Sequence, residues 1–117
     1  MSIRAHINEN YVAETSSVSA FDSPVIDLAL PHSAISYQIE WEAGVVGEIT
    51  WKAAIKSGLW ETLVACEEVS LVVDGTAESA IVAIPNIWLT VGYLKFSWVP
   101  NEGSTGNISA AIRVVPI

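Results

Sequence analysis

Apolar and polar residues alternate with a period of two along most of this chain. From Ala34 to Trp41, the residues Ile35, Tyr37, Ile39 and Trp41 fall on one side and Ser36, Gln38 and Glu40 on the other. That is the pattern of a strand with one buried face. Glu48 to Ile55 repeats it, with Ile49, Trp51, Ala53 and Ile55 inward and Glu48, Thr50 and Lys52 outward. Gly44 and Gly47 lie between the two runs and predict a hairpin connection. Val69, Leu71 and Val73 alternate ahead of an Asp74-Gly75 turn, and Ala80 to Ile84 is a short apolar strand closed by Pro85-Asn86. Tyr93 to Trp98 sets Leu94, Phe96 and Trp98 against Tyr93, Lys95 and Ser97. After the polar loop from Pro100 to Gly106, the residues Ile108, Ala110, Ile112 and Val114 share a face. Further strands are expected near Leu63 and at Val25-Ile26.

Strands recurring roughly every ten residues, with turn chemistry between them, predict an all-β domain. The expected architecture is an antiparallel β-sandwich of about seven to eight strands, with a jelly-roll or immunoglobulin-like Greek-key path. A helix over Trp51 to Cys66 would place Ala53, Ala54, Leu59 and Leu63 on one stripe, but Ser57-Gly58 interrupts it, so strand, turn and strand is the reading adopted. Residues 1–17 differ in kind, being polar and without periodicity; they read as an extended or flexible arm in front of a sandwich spanning 18–117.

Length and charge narrow the picture. A chain of 117 residues fits one domain and buries roughly two-thirds of its unfolded surface, enough for a core without staples. The single cysteine, Cys66, forms no internal disulfide and reads as a small core residue. Thirteen acidic against five basic side chains give a net charge of −8, which repels phosphate backbones and argues against direct nucleic-acid binding. No run approaches the about 18 apolar residues of a membrane helix, and the polar start lacks a signal peptide's apolar core.

Catalysis needs convergent groups, and few are present. His6 and His32 are the two histidines, one in the arm and the other in a loop, and neither has a ligand-like spacing to Cys66. There is no phosphate loop or nucleophile elbow. Glu40, Glu42, Glu48, Glu67 and Glu68 lack the spacing of a calcium loop and read as a solvated face that discourages edge pairing. No catalytic residue, metal site or cofactor is therefore expected.

The five tryptophans say more. Trp41, Trp51 and Trp98 fall on inward registers, where each contributes roughly 4–6 kcal/mol of gross transfer energy. Trp60 and Trp88 sit beside turns and read first as a lid over one end of the core, and otherwise as a partly exposed contact surface, with Tyr93 as a neighbouring aromatic.

The order of these pieces resembles a type of small β-sandwich protein found among the structural proteins of tailed bacteriophages. The stretches that carry the resemblance are Ser23-Pro24-Val25-Ile26-Asp27-Leu28, Ser36 to Trp41, Gly47 to Ala53, Ser57 to Leu63, Tyr93 to Trp98 and Gly103 to Ala110. The resemblance covers residues 23–117, nearly everything except the arm. The chain departs from the type in having Lys56-Ser57-Gly58 where an Asn-Asp-Gly turn is usual. It also has Trp88 and Gly92 in a segment where an arginine often leads the aromatic strand.

The resemblance implies a non-catalytic virion component on the capsid surface, such as a capsid decoration or accessory protein, soluble in the host cytoplasm before assembly. Its partners would be the major capsid protein or another virion protein, and a dimer or trimer would add avidity. Partner contacts are expected from the arm, through Ile3, Arg4, Ile7 and Tyr11, and from Trp60, Trp88 and Tyr93. The competing expectation is a carbohydrate-binding module that stacks a glycan on Trp60, Trp88 and Tyr93.

Overall fold

A computed structural model describes residues 6–28, 32–55, 59–61, 68–90 and 92–116. Nine strands appear in chain order: β1 (His6–Ser16), β2 (Phe21–Asp22), β3 (Ile26–Asp27), β4 (His32–Trp41), β5 (Val46–Ala54), β6 (Ser70–Asp74), β7 (Glu78–Ala83), β8 (Tyr93–Pro100) and β9 (Asn107–Pro116). A short 3-10 helix, Asn86–Thr90, precedes β8. The strands form two antiparallel sheets. One has the order β1-β9-β4-β7; the other has β2-β8-β5-β6, with β3 also paired to β8.

If β2 and β3 are counted as one broken strand, the pairs run first with last, second with second-last, and so inward to β5 with β6. This is a long antiparallel strip rolled up on itself, the jelly-roll path. The immunoglobulin-like alternative is set aside. The fold is the all-β antiparallel sandwich that the alternation predicts.

The expected hairpin between β4 and β5 is corrected, because the two strands lie in different sheets and residues 42–45 carry the chain across the end of the sandwich. Gly47 explains how the crossing lands. Its φ is 156°, and a Cβ there would lie 2.4 Å from Val99 O and 2.6 Å from the Trp98 ring. Only glycine lets β5 enter the sheet against that indole. The Asp74-Gly75 turn also crosses between sheets; Gly75 has φ 97°, and Thr76 N–H donates to Asp74 Oδ1 at 3.2 Å.

Inward residues interdigitate between the sheets as the period-two pattern requires. Ile35, Tyr37 and Ile39 from β4 meet Ile49 and Trp51 from β5, Leu94, Phe96 and Trp98 from β8, and Ile108 and Ala110 from β9, all buried. Phe96 is central: its ring lies 5.8 Å from Tyr37, 5.5 Å from Trp51, 6.4 Å from Tyr11 and 6.5 Å from Phe21. Such edge and tilted contacts add to burial. Ile55, expected inward, is instead 85% exposed, because β5 ends at Ala54 and two consecutive alanines, Ala53 and Ala54, take the buried places.

Residues 6–16 of the amino-terminal segment form β1, the edge strand beside β9. Two register shifts, between Asn8 and Val12 and between Val12 and Thr15, break the alternation and turn both Tyr11 and Val12 into the core. Asn10 N–H donates to Asn8 Oδ1 at 3.0 Å, and Thr15 Oγ1 donates to Ala13 O at 2.8 Å, supporting the bulged backbone locally. The strand's end is pinned by Ser17. Its N–H donates to Gly106 O, its hydroxyl pairs with Ser104 at 2.9 Å, and its carbonyl accepts the Trp98 indole N–H at 3.0 Å.

Candidate functional site

The predicted contact residues do not converge. Ile3 and Arg4 lie outside the described residues, as do Leu63 and Cys66 and the side chains of His6 and His32. Ile7 stands on β1 with 64% of its surface exposed. Tyr11, expected to meet a partner, is corrected to a core residue. Its ring is buried and its hydroxyl donates to Pro24 O and pairs with Ser23 Oγ, while burial raises its pKa above the ordinary 10.0. Trp88 is corrected in the same way. The 3-10 helix swings its indole under the end of the sandwich, where 1% remains exposed. Trp60 and Tyr93 are half-buried at the outer face of the five-stranded sheet.

The part of that face beside β2 is internally paired, while Val72 and Val99 stand exposed on either side of Glu48 farther along it. Trp60 lies against Lys95, whose ammonium is 4.5 Å from the ring centroid. Lys95 also pairs with Asp22 at 3.0 Å, and Ser97 Oγ donates to the other Asp22 oxygen at 2.7 Å. These contacts, the Ser97 hydroxyl first and Lys95 second, hold the Asp22 carboxyl below its ordinary pKa of 3.8. With Trp88 in the core and Trp60 covered by an ammonium, the three aromatics do not form the flat platform a sugar ring needs.

The outer face of the four-stranded sheet is different. Its middle strands, β9 and β4, present small or slender residues outward: Ala111 and Ser109 from one, Ser36 and Gln38 from the other. Longer side chains surround these small ones, with Ile7 on β1, Ile81 on β7, the latter 73% exposed, and Glu40 and Arg113 on the middle strands themselves. The small side chains at Ser36, Ser109 and Ala111 leave a shallow trough between these longer ones. Three adjoining depressions of about 190, 440 and 260 Å³ lie along it. The first two share Gln38 and Ala111, and the second and third share Glu14, Glu40 and Ser109.

The trough has chemically distinct ends. Ile7, Ile81 and Ala111 line one end together with Arg113. Glu14, Glu40, Glu42 and Glu78 line the other, and Glu9 stands between them. Glu42 accepts the Asn107 N–H at 2.6 Å. Among the described residues, Glu9, Glu14, Glu40 and Glu78 have no cationic partner, the one ion pair being Lys95 with Asp22. No three His, Cys, Asp or Glu residues converge as a metal-binding group among the described residues, so these carboxylates project an open negative field.

Sequence reasoning placed Gln38 and Glu40 outward but did not single out the trough. The available signal was the run Ser109, Ala111 in the outward register of a strand whose inward register is bulky. Its meaning depends on β9 lying between β1 and β4, which the linear sequence does not state.

Comparison with protein-family models gives no match, and comparison with curated proteins gives none at a significant level.

Proposed function

We propose that this chain is a non-catalytic structural module that attaches to a protein partner, acting as an accessory component of a tailed-bacteriophage virion. The partner is the major capsid protein or another virion protein, and attachment is reinforced by several copies acting together. The observation that carries the reading is the trough. A rigid sandwich with an exposed, shaped sheet face, apolar at one end and charged at the other, is suited to docking a macromolecule. Jelly rolls serve in viral capsids and in lectins; fold alone does not choose between them. The covered Trp60 and buried Trp88 weigh against the lectin use, and the arrangement of strand segments that resembles phage structural proteins weighs for the other.

The test is co-sedimentation of purified protein with shells assembled from the major capsid protein of the same phage. Saturable binding at a fixed ratio to shell subunits is expected. Protein that stays in the supernatant at every concentration, together with a monomeric state by analytical ultracentrifugation, defeats the reading.

A further inference from the structure

We infer that the trough holds an extended, cationic segment of the partner protein, lying along β9 and β4 with apolar side chains at the Ile7–Ile81 end and lysine or arginine at the Glu14–Glu40 end. This rests on the structural-module reading and specifies its contact.

Size, charge and polarity carry the inference. From Arg113 to Asn107, β9 advances about 20 Å, and the spacing from β1 to β7 is about 14 Å. That accommodates one extended strand of about six residues with its side chains between the flanks. Four carboxylates that have no cationic partner among the described residues face the trough, and a cation brought by a binding partner would be attracted to them. A second copy of this chain is a poor occupant, since it brings another −8. Polyanions such as nucleic acid are repelled for the same reason. Arg113 stands at the apolar end and disfavours a cation there, so the segment enters in one direction.

The probe is a synthetic peptide, Ile-Thr-Ile-Thr-Lys-Thr-Lys, titrated into isotope-labelled full-length protein and followed by amide chemical shifts. Saturable shifts confined to Gln38, Ser109, Ala111 and their neighbours are expected. Affinity should fall at least about tenfold in the Glu14→Lys/Glu40→Lys variant, and similarly between about 50 and 500 mM salt. The matching peptide with glutamate for lysine should not bind. Equal binding of both peptides, shifts mapping to the Trp60 face, or no saturable shift at all overturns the inference. Ala111→Phe, which fills the floor without adding charge, serves as a second variant, and unchanged binding to it also overturns the proposal. Shells separate the two claims. If wild type and the Glu14→Lys/Glu40→Lys variant co-sediment equally, the trough is not the contact and the module reading survives. If neither co-sediments while the peptide binds, the virion assignment fails and the trough stands.

Discussion

The two outer faces of the sandwich are built from the same alternation but differ in how their charges are placed: one holds a paired cluster beside β2, the other a row of carboxylates. On the five-stranded sheet, Asp22, Lys95, Ser97 and Trp60 close on one another. On the four-stranded sheet, Glu9, Glu14, Glu40 and Glu78 meet no cation among the described residues, and Ile7 and Ile81 stand exposed. The first face ties Asp22, Lys95 and Ser97 to one another, although Val72 and Val99 stand exposed farther along it. The other leaves its carboxylates facing solvent. Few cations are on hand: of the five in the chain, Lys52 and Lys95 both fall on the first face, directly opposite each other across β5 and β8.

The largest predicted effect abolishes the contrast by removing what both faces share. Phe96→Ala leaves a cavity beneath Tyr11, Tyr37 and Trp51 and should cost about 3–5 kcal/mol in urea unfolding. Gly47→Val tests the same foundation from the backbone. The clash with Val99 O and the Trp98 ring should cost about 2–3 kcal/mol, read as a lower denaturation midpoint. Lys95→Ala acts on one face alone, losing the ring contact and the Asp22 pair, and should cost about 1 kcal/mol by thermal melting while leaving peptide binding unchanged.

Smaller effects separate the faces by pH and charge. The Asp22 carboxyl sits below its unfolded value of 3.8, so its contribution is present above that pH and is lost as pH falls through the lower folded value. Asp22 is half exposed, so the contribution should be only a few tenths of a kcal/mol. The wild-type minus Asp22→Asn difference in unfolding free energy should therefore shrink on acidification below 3.8. Glu40→Gln should do the reverse of Lys95→Ala. Relieving repulsion in the trough should leave stability unchanged or raise it by a few tenths of a kcal/mol, while weakening the cationic peptide in the same titration.

The core was legible because burial imposes a two-residue period on any strand, whatever its neighbours. Ile35, Tyr37, Ile39, Trp51, Leu94, Phe96 and Trp98 all follow it. The misreadings fall where that period breaks. Tyr11 enters the core through a bulge, Ile55 is expelled by consecutive alanines, and Trp88 is carried inward by a 3-10 helix. Polarity made residues 6–16 look separate from the domain, yet pairing with β9 makes them one of its edges.

What the linear order settled was chemistry at each position: which residues turn inward, where the chain must bend, and that the whole is acidic. Which strands lie side by side was decided only on folding, because β1 with β9 and β4 with β9 join residues distant in the chain. A trough is a property of such neighbours, since it forms where Ala111 and Ser36 lie among Ile7, Gln38, Ile81 and Arg113, residues of four different strands that no local stretch brings together.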